Sequence, residues 1–118
     1  MFGDGTQMRN AIYVEDAVTA LIQASQSEAV IGETFFAVSD EHHSVIHIAN
    51  ATVECIGKGN VRSVPWPPGR QAVDVGDAIL SNKKFKAVVG WYPKYDLKAG
   101  LIKTKEYFES RLSHYLKI

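Results

Sequence analysis

Two short β-prone runs, each followed by an amphipathic helical pattern, constrain the fold of this chain more than any other sequence feature. The runs cover residues 11–14 and 33–38, and glycine or polar residues bound them. After the first run, Val18, Leu21 and Ile22 repeat with the spacing of one helix face. This order predicts a small mixed α/β unit in which each strand precedes a helix.

Side chains suited to capping set the expected helix boundaries. We expect Asp16 to cap the first helix, Ser44 the second and Asp96 the last, because their oxygens accept free amide protons of a first helical turn. A short third helix is expected from Ser81 to Gly90. The last helix is expected to present an apolar stripe made of Leu97, Leu101, Thr104, Phe108, Leu112 and Tyr115.

The segment between the second and third helices combines a strand pattern with a loop. Residues 61–64 predict a third short strand, and the proline-rich stretch 65–69 excludes both a helix and a central strand. The chain then has two irregular stretches of roughly 15 residues, which is long for a small compact domain. Such loops indicate either ligand-binding segments or a surface that a partner covers.

Charge and composition exclude several classes of protein. The 118 residues contain 13 Lys+Arg and 13 Asp+Glu, so there is no excess of positive charge for a nucleic-acid backbone. No apolar run approaches the ~18 residues of a membrane span. The N-terminus lacks the pattern of a signal peptide, and one cysteine, Cys55, forms no internal disulfide. We therefore expect one cytoplasmic domain, residues 1–118, without nucleic-acid or membrane partners.

Three histidines near the start of the second helix raise the question of a metal site. His43 and His47 are four residues apart and share a helix face with each other, but a site also needs a third ligand. No known zinc spacing is present, so we interpret them with His42 as solvated side chains and predict no metal. The serines lack a G-x-S-x-G elbow, and we assign no catalytic residue.

Two arginines lie where ion pairing along a helix does not explain them. Arg9 precedes the first predicted strand, and Arg70 ends the proline-rich loop. A guanidinium group binds phosphate oxygens through two parallel hydrogen bonds. The alternative is a pair of exposed arginines in weak surface ion pairs. Spacing alone leaves both interpretations open.

Four segments of the chain, in order, resemble one family. Residues 2–18 carry phenylalanine-glycine-x-glycine, an arginine, and a tyrosine-valine-x-aspartate run. Residues 32–45 resemble that family's next strand and helix, 70–77 its second arginine segment, and 90–104 its glycine-tryptophan-x-proline ending. The chain thus resembles the C-terminal portion of the extended short-chain dehydrogenases, the NAD-dependent nucleotide-sugar epimerases and dehydratases. The resemblance implies a substrate-binding portion that lacks the Rossmann core.

The resemblance also implies roles for particular residues. Arg9 and Arg70 match the arginines that approach the diphosphate of the sugar nucleotide, and Asp77 is a weaker binding candidate. In the family, an N-terminal Rossmann domain binds NAD and carries a tyrosine-x-x-x-lysine pair for the hydride-transfer chemistry. No tyrosine of this chain has lysine four residues later. We therefore expect neither NAD binding nor catalysis by this chain alone.

The implied function is that of the sugar-nucleotide-binding part of an NAD-dependent epimerase, an isomerase of the kind that acts on UDP-glucose. The same portion of a nucleotide-sugar 4,6-dehydratase, a lyase, is the first alternative. A stand-alone binding or homo-oligomerisation module without chemistry is the second. Asn10, Ala11 and the segment 36–38 depart from the family pattern, which leaves the base and the sugar open.

Overall fold

The computed structural model describes residues 1–116 and shows a helix-rich unit with one small sheet. Its strands and α-helices, in chain order, are β1 (Met8–Arg9), α1 (Val14–Ser25), β2 (His43–Ser44), α2 (Val45–Ile56), α3 (Lys83–Val89), α4 (Leu97–Glu109) and α5 (Leu112–Tyr115). Single 3-10 turns lie at Glu28–Val30 and Gln71–Val73. The longest helix, α4, has 13 residues, and no helix within 1–116 has the length and apolarity to cross a bilayer.

The sheet consists of β1 and β2 paired antiparallel, with Met8 opposite Ser44 and Arg9 opposite His43. The predicted strands at 11–14 and 33–38 are wrong, because no other stretch within 1–116 pairs with them. At the predicted strand 61–64, only an isolated parallel bridge joins Val64 to the chain start. The sheet therefore forms at residues that the β-prone pattern did not select.

Although unpaired, the second β-prone run still packs against the core. Phe35 and Ala37 contact the core and are partly buried, whereas Phe36 between them is exposed. This is the two-residue alternation of an extended chain, and it ends at Val38, which is buried next to Ala37. Phe35 stacks at a tilt on Phe85 of α3, with ring centroids 5.5 Å apart.

The core is small and lies between α1, α3 and the chain that follows α3. Ala20, Phe85 and Trp91 are almost completely buried there. The Trp91 indole Nε1–H donates to Thr19 Oγ1 at 3.1 Å, so the largest buried ring also satisfies its polar atom. These contacts fix α1 and α3 relative to each other.

Asp16 does not cap α1, which corrects the sequence prediction. The helix starts at Val14, and the residue in the capping position is Tyr13, whose side chain makes no capping bond. Asp16 lies in the first turn and is only 1% exposed. Its two carboxylate oxygens accept hydrogen bonds from the amides of Lys94 (2.9 Å) and Tyr95 (3.0 Å). The carboxylate thus connects α1 to the segment that leads into α4.

The apolar face predicted for α1 is also not buried. Val18, Leu21 and Ile22 are all exposed, Leu21 by 73%, and so is Val14 at the start of the helix. The helix contacts the core instead through Ala20 and, more weakly, Ala24. Residues 1–116 therefore leave an apolar stripe of α1 uncovered.

The other helix boundaries follow the sequence predictions closely. Ser44 caps α2 by accepting from the His47 amide, and Asp96 caps α4 by accepting from the Ala99 amide at 2.7 Å. The third helix begins at Lys83, two residues after the predicted start, and Gly90 ends it in the left-handed conformation. The predicted last helix is divided, because α4 stops at Glu109 and α5 starts at Leu112.

Candidate functional site

The side chain of Arg9 lies against the loop that follows the second 3-10 turn. Its Nη1 donates to the carbonyls of Met8 (2.8 Å) and Gly76, and its Nη2 donates to Asp74 Oδ1 at 3.3 Å. The Arg9 and Asp74 side chains are 28% and 24% exposed. The predicted phosphate-binding residue is therefore a partly buried ion-paired arginine at the edge of the sheet.

Hydrogen bonds to β1 hold this loop in place. The Met8 amide donates to Asp77 Oδ1 at 2.8 Å, and the Ala78 amide donates to the Met8 carbonyl at 3.0 Å. Asp77, predicted as a weaker binding residue, thus uses one carboxylate oxygen to attach the loop to the strand. Whether it also contacts a ligand stays a prediction.

A tight turn brings Asp74 to the arginine. Asp74 Oδ2 accepts from the Gly76 amide at 3.1 Å, which is the local side-chain-to-backbone bond of an Asx turn. Gly76 has φ +63°, a conformation that glycine adopts at little cost. The turn presents the Gly76 carbonyl and the other Asp74 oxygen to the same guanidinium.

Arg70 is placed differently from Arg9. Its amide donates to the Pro67 carbonyl at 3.0 Å, and its side chain is exposed. Within residues 1–116 the Arg70 guanidinium makes neither a hydrogen bond nor an ion pair. The structure therefore brings Asp77 to the strand that carries Arg9, whereas Arg70 stays on the loop that precedes the 3-10 turn Gln71–Val73.

Asp74 is the site residue that sequence reasoning missed. It lies four residues after Arg70 and is followed two residues later by glycine, an Asp-x-Gly pattern typical of an Asx turn. That pattern predicts that the Asp74 side chain folds back on its own loop. Its partner, Arg9, is 65 residues away in the sequence, and only the fold brings them together.

Asn10, next to Arg9, fixes the turn before β2. Its Nδ2 donates to the carbonyls of Ser39 (3.0 Å) and Glu41 (2.8 Å). These two acceptors require the amide nitrogen on that side, so the orientation of the side chain is determined. The buried Oδ1 then has no hydrogen-bond partner within residues 1–116. An amide suits this position because an ionised carboxylate would face two carbonyl oxygens.

The three histidines point to different partners. His42 Nε2 lies 3.0 Å from the Leu80 carbonyl, whereas His43 Nε2 lies 3.1 Å from Glu41 Oε2. The His43 and His47 rings are stacked, with centroids 4.9 Å apart. In the part of the chain that the structure describes, no three His, Cys, Asp or Glu side chains are arranged to hold a metal ion.

Two clefts lie in the described part of the chain, one beside α2 and one beside α3. The larger, of about 480 Å³, lies between α2 and α4. Its lining is Glu41, His43, His47, Ala51, Glu54, Cys55, Asp96, Leu97, Lys98, Leu101 and Ile102. Neither Arg9 nor Arg70 borders it. The smaller cleft, of about 330 Å³, is bordered by Asp40 and Lys86, whose ammonium group lowers the pKa of the Asp40 carboxyl.

Several known proteins are similar to this chain over almost its whole length. No family model matches the chain. UDP-glucuronic acid decarboxylase 1 of Xenopus tropicalis is 27% identical in an alignment 118 positions long, which covers 97% of this chain and 26% of that protein. The solved UDP-glucose 4-epimerase of Thermotoga maritima with UDP-glucose is 32% identical, with a TM-score of 0.81 over 95% of this chain and 35% of that one.

A third comparison concerns the fold alone. The UDP-glucuronic acid 4-epimerase of Bacillus cereus, in complex with UDP-glucuronic acid and NAD, is 23% identical and has a TM-score of 0.78 over 94% of this chain. This chain spans about a quarter to a third of the length of the three proteins. By sequence and by fold, the chain is similar over 94–97% of its length to nucleotide-sugar epimerases and dehydratases of the extended short-chain dehydrogenase family, and it corresponds to a small part of those enzymes.

Proposed function

We propose that this chain is the nucleotide-sugar-binding portion of an NAD-dependent nucleotide-sugar epimerase, and that Arg9 and Arg70 bind the diphosphate. The observation that carries the proposal is the position of Arg9, a partly exposed guanidinium at the edge of the β1–β2 sheet. It stands on a chain that shares its fold with an epimerase solved with UDP-glucose.

The chemistry of the two arginines supports this role. A guanidinium stays charged at any physiological pH and offers five N–H donors in a plane. Acceptors within residues 1–116 take three of the Arg9 donors, which leaves the Nε–H and one Nη2–H for a ligand. The exposed Arg70 guanidinium is unpaired within the same range. Together they would supply two positive charges to a diphosphate and hold the sugar in one orientation.

The redox chemistry would belong to a part of the enzyme outside these residues. In this reaction class NAD would take a hydride from the sugar carbon that bears a hydroxyl group, while the hydroxyl loses its proton to a base, and would then return the hydride. A dinucleotide site needs parallel strands joined by a helix, whereas the two strands described here are antiparallel. We therefore propose no hydride-transfer step on residues 1–116.

The exposed apolar side chains support a partner surface that covers this unit. Leu21 and Ile22 on α1, with Ile31 and Phe36 nearby in the sequence, are all more than half exposed. A NAD-binding Rossmann domain of the same polypeptide is the partner that the family relationship suggests. A second copy of the chain would cover the same side chains, and this observation keeps the non-catalytic homo-oligomer as the alternative of another class. Sedimentation across a concentration series separates the two.

Calorimetric titration with UDP tests the proposal. We expect binding by the protein, and Arg9→Ala and Arg70→Ala should each weaken it by about 1.5–3 kcal/mol, the scale of a hydrogen bond to a charged group. Arg62→Ala is the matched control, because Arg62 is another exposed arginine before the same loop. Absence of binding, or equal affinities for all three variants, would contradict the diphosphate role. The titration does not depend on whether the reaction is epimerisation or the alternative, 4,6-dehydration.

A further inference from the structure

We propose that Asp74 is an autoinhibitory counterion, which occupies Arg9 until an anionic ligand displaces it. The inference rests on the proposed function, since it concerns the same arginine, and it adds a regulatory contact to it. Two observations carry it: the Asp74 carboxylate lies 3.3 Å from Arg9 Nη2, and both side chains are about three-quarters buried.

The arrangement of donors makes Asp74 a direct competitor. Both N–H groups of Arg9 Nη1 are directed to backbone carbonyls, those of Met8 and Gly76. An anion can then form two parallel bonds only through Nη2 together with Nε. Nη2 is the atom that Asp74 engages.

A bound anion meets Asp74 whichever way it approaches. If the anion takes the Nη2–H used by Asp74, the ion pair must break first. If it uses the remaining Nη2–H, two negative groups share one nitrogen, and they repel each other over a few ångströms in a partly desolvated setting. In both cases the carboxylate weakens binding, so its removal strengthens binding.

The surrounding bonds allow Asp74 to move without unfolding the loop. Asp77 and Ala78 attach the loop to Met8 through their own hydrogen bonds, independently of Asp74. Rotation of the Asp74 side chain breaks its bond to the Gly76 amide and releases Arg9 Nη2, while the loop stays on β1. The apparent dissociation constant then equals the intrinsic one divided by the fraction of molecules in which Arg9 is free.

Titration of the protein with pyrophosphate tests this contact. Asp74→Asn removes the charge and keeps an oxygen to accept from the Gly76 amide. We expect it to tighten pyrophosphate binding about two- to fivefold, the range that follows from an ion pair worth about 0.5–1 kcal/mol. Glu33→Gln is the control, because it removes one negative charge from another ion pair, with Lys84, and should leave the affinity unchanged within about 1.5-fold at moderate salt.

Asp74→Ser provides a second variant, because the serine hydroxyl can also accept from the Gly76 amide. This variant should tighten pyrophosphate binding in the same way. Thermal melting of each variant shows whether the variant is folded. Unchanged or weaker binding by the folded Asp74 variants would overturn the inference, as would an equal gain in Glu33→Gln. If Arg9→Ala still weakens UDP binding in that event, the proposed function stands without the counterion. If neither arginine variant affects UDP binding, the proposed function itself fails.

Discussion

Replacing Asp16 by alanine should lower the free energy of unfolding by about 3 kcal/mol. The buried carboxylate accepts from the amides of Lys94 and Tyr95, and a hydrogen bond to a charged group contributes roughly 1.5–3 kcal/mol. The stabilisation lost with the two bonds is offset in part, because the variant no longer has to transfer a charged carboxylate from water into the protein interior on folding. The expected loss is therefore well above the ~1 kcal/mol of a lost helix cap.

Asp96→Ala gives the matched comparison, because Asp96 is an exposed aspartate that caps its own helix. It should cost about 1 kcal/mol. Asp16→Asn should fall between the two variants, since one amide oxygen still accepts but the amide nitrogen faces the second N–H. Urea unfolding at neutral pH, followed by far-ultraviolet circular dichroism, measures all three. If Asp16→Ala costs no more than Asp96→Ala, the bridge from α1 to the chain before α4 does not contribute as the geometry indicates.

Two further predictions concern neighbouring side chains. Asn10→Asp should destabilise the fold by about 2 kcal/mol or more, because it loses two donors and turns a carboxylate toward the Ser39 and Glu41 carbonyls. The loss of stability should shrink as acid protonates the new carboxyl group. Urea unfolding midpoints in acid and at neutral pH measure both effects. The hydrogen bond from Lys86 holds the pKa of Asp40 below its ordinary value of 3.8, so the carboxylate stabilises the fold above that pH and the contribution is lost as pH falls through the lowered pKa. Asp40→Asn should remove that part of the acid dependence, under about 1 kcal/mol for a pair whose carboxylate side chain is 53% exposed. An equal acid dependence in the variant would refute this prediction.

The features that could be predicted from the sequence are those that depend on a few neighbouring residues. The caps at Ser44 and Asp96 and the left-handed stop at Gly90 are formed by the local chain, and the structure confirms them. The strands at 11–14 and 33–38 were wrong because β-propensity reports a suitable side chain but not the presence of a neighbouring strand.

In the candidate site, too, local features could be predicted and contacts between distant residues could not. The position of Arg9 on a strand edge was close to the prediction, although the strand is Met8–Arg9 rather than 11–14. Asp16 was predicted as a local cap, and its partners proved to be 78 and 79 residues away. No spacing rule connects residues that far apart, so long-range carboxylate contacts such as this one and that of Asp74 required the fold.

The two-residue sheet has a mechanical consequence for the arginine. Ser44 is both the last residue of β2 and the cap of α2, so no flexible linker separates the strand from the helix. Across the ladder, β2 is bonded to the strand that carries Arg9. A rigid shift of α2, or of α4 packed against it, would therefore also move β1 and the Arg9 backbone.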